Sequence, residues 1–227
     1  MAYVAEVLQR HDLLLYLEGG RSYSGDLKPL KTGLLHATLQ ARRPDLVIVP
    51  VAIAYDLVLE DHILAKQGVK RRQRRFVREV AGMIRFAVGY QSRAFVTCGQ
   101  PIPTGDCDPD SRRDVRALAH RTRKAIGQLY KVLPTALLAA AIRPSITRRD
   151  LEARIDDLLD GLRLVNANLS VTSGQQAVEQ GTAPLVTRGV IVVEEDRYRV
   201  RERAVLRYYA RTLQHLLTPP RDTGHTH

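Results

Sequence analysis

Cysteine and long apolar runs are both scarce in this sequence, and each scarcity excludes a class of protein. The two cysteines, Cys98 and Cys107, have no histidines nearby at zinc-binding spacing, so neither a disulfide scaffold nor a structural zinc site is expected. No segment reaches the run of about 18 apolar residues that a membrane-spanning helix needs. The N-terminus also lacks the features of a secretory signal peptide. We therefore expect reduced cysteines, a cytosolic setting and, at most, peripheral contact with a membrane.

The sequence is strongly basic and long enough to form a globular fold. It has 227 residues, of which 44% are hydrophobic, and this suffices for one sizeable core or two modest ones. Its net charge of +11 favours a partner with several negative charges. Nucleic acid, an anionic membrane surface and phosphorylated small molecules all qualify, and charge alone does not choose among them.

One segment near the N-terminus predicts an anion site. An apolar run at residues 13–17, which we predict to be a strand, ends in an acid, two glycines, an arginine and a serine at residues 18–22. Glycines allow backbone N–H groups to approach a ligand closely. The planar guanidinium of Arg21, beside the hydroxyl of Ser22, suits the geometry of a phosphate.

The first half of the chain reads as strands alternating with helices, which predicts an α/β layer. Residues 46–55 form a long apolar run that we expect to be a buried strand, with Pro50 at a bulge or at the junction with a loop or pocket. A second strand is expected at residues 94–98. Further helices are expected at residues 2–10, at residues 32–41 and, as a basic amphipathic helix, at residues 70–93.

The second half of the chain is predicted to be mostly helical and to resemble a winged helix. A long helix is expected to start at Asp108-Pro109 and to extend to Leu129. Thr147 and Asp150 have the spacing of a capping box. The remaining elements are expected to be a polar helix at residues 174–181, a hairpin turning at residues 195–196 and a last helix at residues 205–216.

This pattern defines the expected fold class and domains. The class is α/β (α+β), with an αβ layer followed by the winged-helix-like region. The boundaries are a partial domain at residues 1–105, a helical region with a β-hairpin at residues 106–217 and a flexible tail at residues 218–227.

Taken together, these segments resemble the glycerol-3-phosphate acyltransferases, specifically the large bacterial 1-O-acyltransferase type. The likeness covers nearly the whole chain, and the ordered set of blocks is more specific than any one of them. The segments that carry it are residues 16–22, Gly25, residues 31–33, residues 49–56, residues 98–103 and residues 206–210.

The resemblance implies that residues 1–105 are the C-terminal part of a glycerolipid-acyltransferase-type αβ layer. It also implies an activity and a set of partners. The reaction would transfer a fatty acyl group from a thioester, on coenzyme A or acyl carrier protein, to the 1-hydroxyl of glycerol 3-phosphate. No bound cofactor or metal is implied, and the acyl thioester is a co-substrate. The implied location is peripheral, at the cytoplasmic face of the cell membrane.

The resemblance also implies roles for individual residues. Arg21 would bind the substrate phosphate with help from Ser22, and Lys31 would supply a second cation. Glu18 would hold the loop, either by accepting backbone N–H bonds or by fixing the arginine, and Pro50 would line the acyl side of the cleft. The implied substrate-binding residues are Glu18, Gly19, Gly20, Arg21, Ser22, Lys31 and Pro50.

Each role has a simpler alternative that the residues leave open. Arg21 could be a surface arginine beside a turn, and Lys31 could be an ordinary solvated lysine. Pro50 could mark a strand break without contacting a ligand. The basic helix at residues 70–93 could be a solvated face or a surface for anionic headgroups.

The catalytic residues that the family requires are missing from this sequence. The family uses a histidine, followed five positions later by an aspartate, to take the proton from the acceptor hydroxyl. No histidine of this sequence has an aspartate five positions later. We therefore expect a truncated form that is inactive alone, either an incomplete gene product or one part of a split enzyme whose N-terminal half is another chain.

A basic, winged-helix-like module that binds nucleic acid is the competing interpretation. In a working module of this type the second helix presents Lys or Arg to the major groove. The candidate helix at residues 174–181 contains no basic residue. We therefore expect no nucleic-acid partner.

Overall fold

The computed structural model describes residues 2–19, 22, 24–58 and 92–218 of the chain. The chain divides into two compact units, each assembled from separated stretches of sequence. The first unit contains Met1–Ser22, Leu27–Ala52 and Val96–Tyr130, and the second contains Tyr23–Asp26, Ile53–Phe95 and Lys131–His227.

Helices and short strands alternate through the described residues, in agreement with the α/β class. The helices are α1 (Ala2–Leu8), α2 (Thr32–Leu39), α3 (Arg112–Leu129), α4 (Pro134–Ala141), α5 (Arg148–Leu164), α6 (Gly174–Thr187), α7 (Arg203–Arg211) and α8 (Gln214–Leu217). The strands are β1 (Val47–Ile48), β2 (Val51–Tyr55), β3 (Ala94–Cys98), β4 (Ile102–Pro103), β5 (Lys131–Val132), β6 (Ser145–Thr147), β7 (Asn168–Leu169), β8 (Ile191–Glu194) and β9 (Arg197–Val200).

The first unit packs α2 against α3 over a small core. Leu35 and Leu39 of α2 are buried together with Val115, Leu118 and Ala119 of α3. Strands β1 and β4 pair antiparallel beside this core, and β2 pairs with β3. The helices predicted at residues 2–10 and 32–41 and the strand at residues 94–98 are thereby confirmed.

The strand predicted at residues 13–17 is wrong. Residues 12–16 are irregular, and no strand in the described ranges pairs with them. Leu14 is 77% exposed and Tyr16 is 71% exposed. Apolar, β-prone residues form a strand only when a neighbouring strand supplies hydrogen bonds, so composition alone overestimated this segment.

The single buried strand predicted at residues 46–55 is divided in two. Strand β1 ends before Val49 and Pro50, and β2 begins after them, because proline has no N–H to donate to a ladder. Side chains alternate along β2, with Ala52 and Ala54 buried and Ile53 39% exposed. The expected break at Pro50 is therefore confirmed, whereas full burial of both faces is wrong.

Helix α3 begins three residues after the predicted start. The Ser111 hydroxyl accepts a hydrogen bond from the Asp114 N–H at 3.3 Å and caps the helix. The Asp108 carboxylate instead accepts the Asp110 N–H at 2.9 Å, which forms a local turn ahead of the cap. A better cap nearby therefore displaced the predicted one.

The second unit has the connectivity of a winged helix, as the sequence predicted. Helix α4 is followed by β6, α5 and α6 and then by the β8–β9 hairpin, and the three-stranded sheet has the order β6-β9-β8. Ile146 of β6 lies opposite Tyr198 of β9, and both are buried. The fully buried core side chains include Leu137, Leu151, Ile155, Leu159, Leu162, Leu185 and Ile191.

Local signals account for the boundaries of this unit. The Thr147 hydroxyl oxygen accepts the Asp150 N–H at 3.2 Å, as the capping box requires. The hairpin turns at residues 195–196, where Glu195 has a φ of +55°. Helix α6 extends beyond the predicted residue 181 to Thr187, and the predicted last helix divides into α7 and α8.

Two further predictions lie outside the described residues. The basic helix predicted at residues 70–93 falls almost wholly within residues 59–91, and most of the predicted tail falls within residues 219–227. Among the helices that are described, none combines the length and the apolar character needed to cross a bilayer.

Candidate functional site

The turn that contains Glu18 and Gly19 is built by backbone hydrogen bonds within the first unit. The Gly19 N–H donates to the Tyr16 carbonyl at 2.9 Å, and the φ of +70° at Gly19 favours glycine there. The Glu18 Oε2 atom accepts the Lys28 N–H at 3.2 Å. The carboxylate therefore accepts a backbone N–H of the loop, and the predicted part of Glu18 in a substrate site stays a prediction. Gly20 and Arg21 lie outside the described residues.

Lys31 lies directly over this turn. A Cβ atom built at Gly19 would be 2.6 to 2.8 Å from the Lys31 Cδ, Cε and Nζ atoms, so no larger residue fits without moving the lysine. The Lys31 N–H also donates to the Leu17 carbonyl at 2.7 Å. Two predicted site residues that are separated in sequence, Gly19 and Lys31, thus lie together. Lys31 is exposed and stands at the start of α2.

A third residue, which the sequence did not single out, fixes the same loop. Arg123 of α3 donates from Nε to the Lys28 carbonyl at 3.0 Å and from Nη2 to the Leu27 carbonyl at 2.8 Å. No motif marks Arg123, because it is one of several arginines on a basic helix. Only the fold places its guanidinium against residues 27–28.

Pro50 occupies a packed position in the same unit. It is buried, its carbonyl accepts the Gly99 N–H at 2.9 Å, and a Cβ at Gly99 would be 3.0 Å from the Pro50 Cγ and 2.7 Å from the Leu129 Cδ1. The glycine thus permits close approach of Pro50 and α3. The predicted contact of Pro50 with an acyl chain stays a prediction.

Asp56, at the end of the block at residues 49–56, is a structural carboxylate of the second unit. It is 6% exposed, and its Oδ1 accepts the N–H groups of Leu57 and Arg93 at 2.8 Å. The Ser92 hydroxyl donates to the same oxygen at 3.0 Å, and the Arg93 guanidinium donates to Oδ2 at 3.0 Å. Its lone pairs are thereby occupied by groups that fix the chain.

Gly25 and Tyr208, which both belong to segments that carry the family resemblance, are in contact in the second unit. Gly25 has a φ of +87°, and a Cβ built on it would overlap the Tyr208 carbonyl oxygen. The next residue, Asp26, lies 3.9 Å from the Arg211 guanidinium. The loop after the predicted phosphate turn is therefore held against α7 by a glycine-specific contact.

A shallow cavity of about 140 Å³ in the first unit contains none of the predicted site residues. Cys107, Asp114 and Arg121 are among its lining residues. Burial, reinforced by the negative charge of Asp114, raises the pKa of the Cys107 thiol, which disfavours the reactive thiolate. Within the described ranges no cluster of three His, Cys, Asp or Glu residues has a geometry suited to a metal ion.

Comparison with known families agrees with this arrangement of blocks. A model described as the glycerol-3-phosphate acyltransferase C-terminal region matches residues 72–220, which is more than half of the chain. The chain belongs to this family. A second model, described as acyltransferase, matches residues 1–54 and so includes the Glu18 turn, Lys31 and Pro50.

Curated relatives of this acyltransferase-family chain carry the same description but are much longer. The glycerol-3-phosphate acyltransferase of Shewanella amazonensis is 29% identical over 244 residues, covering 90% of this chain and 30% of the relative. The enzyme of that name from Actinobacillus pleuropneumoniae serotype 3 is 28% identical over 252 residues, covering 96% of this chain and 31% of the relative. The chain therefore spans about a third of the length of the curated relatives it matches.

Proposed function

We propose that this chain forms the substrate-phosphate side of a glycerol-3-phosphate acyltransferase. The reaction would move a fatty acyl group from coenzyme A or acyl carrier protein to the 1-hydroxyl of glycerol 3-phosphate. The observation that carries the proposal is the seating of Lys31 over the Glu18-Gly19 turn. Arg21 follows Gly19 by two positions in the sequence, so we assign both cations to the same phosphate.

The proposed division of labour follows from the chemistry of these side chains. Arg21 pairs with two phosphate oxygens, Ser22 adds a hydroxyl, and Lys31 adds a point charge. Glu18 bonds the Lys28 N–H and so keeps the loop shape rather than contacting substrate. Pro50 lines the acyl side of the cleft.

We propose further that the chain by itself binds the phosphate substrate without turning it over. No histidine in the sequence has an aspartate five positions later, so the pair that would take the hydroxyl proton must come from polypeptide outside these 227 residues. A general base typically contributes about 10²–10⁴-fold to a rate, and positioning adds more. The missing part would belong either to the same longer polypeptide or to a second chain, and the assembled enzyme would act at the cytoplasmic face of the cell membrane.

Calorimetric titration of the purified chain tests the binding half of the proposal. Glycerol 3-phosphate should bind and glycerol should not, because the phosphate supplies the recognised charge. Loss of a hydrogen-bonded charge costs about 1.5–3 kcal/mol, so Arg21→Ala should weaken binding by about tenfold or more. Lys31→Ala should weaken it less, and Lys124→Ala, which removes an exposed lysine of α3, should leave it unchanged.

An acyl-transfer assay tests the second half with the same protein. Purified chain supplied with glycerol 3-phosphate and either acyl-coenzyme A or acyl carrier protein should yield no lysophosphatidic acid above the uncatalysed background. Turnover at the rate of a full-length relative would contradict the proposed inactivity. Equal affinity for glycerol and glycerol 3-phosphate would contradict the proposed phosphate site.

A further inference from the structure

We propose that Arg123 is a positioning residue for the substrate-phosphate loop, acting through residues 27–31 rather than by touching substrate. The inference deepens the proposed function and rests on it for the identity of the ligand. The holding of the loop by Arg123 rests on geometry alone.

The first step is that Arg123 projects from a well-anchored helix. Helix α3 has 18 residues, and Val115, Leu118 and Ala119 bury one of its faces in the core of the first unit. Thr122, the neighbour of Arg123, is 1% exposed, and its hydroxyl donates to the Leu118 carbonyl at 2.9 Å. The backbone that carries the guanidinium is therefore fixed by packing.

The second step is that one guanidinium binds two successive backbone carbonyls. The donor–acceptor distances of 3.0 Å to Lys28 and 2.8 Å to Leu27 use Nε and Nη2, which lie on one edge of the planar group. This fork geometry is specific to arginine, because a lysine ammonium has no second donor held in the same plane. Both position and orientation of the 27–28 peptide are thereby set.

The third step carries this order to the predicted site. The Lys28 N–H, in the residue whose carbonyl binds Arg123, donates to the Glu18 Oε2 at 3.2 Å. Three residues later the Lys31 N–H donates to the Leu17 carbonyl at 2.7 Å, and the Lys31 side chain covers Gly19. Arg123 is thus linked through residues 28–31 to both sides of the Glu18-Gly19 turn.

The consequence concerns the placement of charge. Lys31 makes no ion pair with an acid in the part of the chain that the structure describes, so its position over the turn depends on its backbone and on the segment before it. Ordering that segment in advance lowers the entropic cost of binding an anion there. Loss of Arg123 should therefore lower affinity for the phosphate without removing a ligand contact.

The experiment compares Arg123→Gln with Arg116→Gln in the full chain. Arg116 lies on the same helix, is exposed, and loses the same charge when substituted. Amide hydrogen exchange should become about tenfold faster or more at Lys28 and Lys31 in Arg123→Gln and stay unchanged at Leu118. Exchange in Arg116→Gln should match that of the wild type. Exchange in Arg123→Lys should be faster than in the wild type and slower than in Arg123→Gln.

Titration with glycerol 3-phosphate supplies the second readout. Arg123→Gln should weaken binding by about tenfold, while Arg116→Gln leaves it unchanged. Unchanged exchange at Lys28 would overturn the positioning role. An equal loss of affinity in both variants would indicate a general charge effect and overturn the positioning role. Faster exchange with unchanged affinity would show that Arg123 holds the loop but has no role in binding.

The two readouts separate this inference from the function on which it rests. If the wild-type chain binds no glycerol 3-phosphate, the proposed function fails, and the positioning of phosphate by Arg123 fails with it. In that case the exchange rates at Lys28 and Lys31 still decide whether Arg123 holds the loop.

Discussion

Asp56 illustrates how a residue inside a family block can serve the fold. Its side chain is buried, but the Arg93 side chain with which it forms an ion pair is 67% exposed, so solvent reaches the guanidinium. Solvent screens such a pair, and the backbone N–H groups of Leu57 and Arg93 are therefore the more dependable partners. Asp56 thus joins the end of β2 to the residues just before β3.

Substitution of Asp56 should accordingly lower stability rather than affinity. Asp56→Ala leaves the buried Leu57 N–H and the partly buried Arg93 N–H without their acceptor and should cost about 1–3 kcal/mol in the free energy of unfolding. Asp56→Asn keeps one acceptor oxygen and should cost less. Urea unfolding followed by circular dichroism measures both, and titration with glycerol 3-phosphate should show wild-type affinity in Asp56→Asn.

Asp45→Asn is the matched control, since Asp45 pairs with Arg43 at 2.6 Å on an exposed surface. A hydrogen bond from Arg43 lowers the pKa of the Asp45 carboxyl. Any stabilisation is therefore present above the ordinary pKa of aspartate and lost as the pH falls through the lowered value. The urea midpoint at pH 7 should stay close to that of the wild type, and a loss as large as that of Asp56→Ala would contradict this account.

At the scale of elements, two helical glycines of the second unit should respond in opposite ways to the same substitution. Gly161 of α5 is exposed, and a Cβ there would meet nothing within 4 Å. Gly181 of α6 faces α4, where a Cβ would lie 2.9 Å from the Pro134 carbonyl carbon and 3.0 Å from the Leu138 Cδ1. Gly161 therefore lowers the helix propensity of α5 without allowing any closer packing, whereas Gly181 allows α6 to pack closely against α4.

Gly161→Ala should therefore stabilise the protein by about 0.5–1 kcal/mol, the usual difference between the two residues in a helix. Gly181→Ala should destabilise it by about 1–3 kcal/mol through overpacking against α4. Thermal unfolding of the two variants beside the wild type measures the difference. Changes of the same sign would show that the α4–α6 contact adjusts freely.

The elements that the sequence revealed are those with local signals. Helices α3 and α5 bury residues at helical spacing, and α5 has a Thr147 cap, so both were found from periodicity and capping. Helix α4 gave no such signal, because it is apolar on every side and almost wholly buried. Strand pairing is non-local, which explains the wrong strand at residues 13–17.

The same distinction applies to the site. Glu18 and Gly19 were singled out because an acid, glycines and an arginine lie close together in a short segment, and Lys31 was singled out by the family resemblance. Their roles in binding stay predictions. Arg123 was missed because it is separated from its partner Lys28 by 95 positions, and a surface arginine on a basic helix has no mark of its own. Only the packing of α3 brings it to the loop.

At the scale of the whole molecule, the two units have cores of very different size. In the first unit the described core joins α2 and α3 through five buried residues. In the second unit Leu137, Leu138, Ile155 and Leu159 are fully buried, and the core also takes residues from five helices and the sheet. Because burial of apolar surface is the main source of stability, the predicted phosphate loop lies on the less strongly stabilised unit.

Amide hydrogen exchange of the intact chain should show this difference directly. We expect the slowest-exchanging amides in α4 and α5 and exchange at least about tenfold faster in α2 and α3, since smaller cores open at lower free energy. Leu118→Ala, which truncates a side chain that is 3% exposed, should accelerate exchange in α2 and α3 further.

Ligand binding stabilises the unit that holds the site, so saturating glycerol 3-phosphate should slow exchange in α2 and α3 and leave α4 and α5 unchanged. Protection that appears in α4 and α5 instead would move the phosphate site away from the Glu18 turn, and equal exchange in the two cores would contradict the ranking of the units.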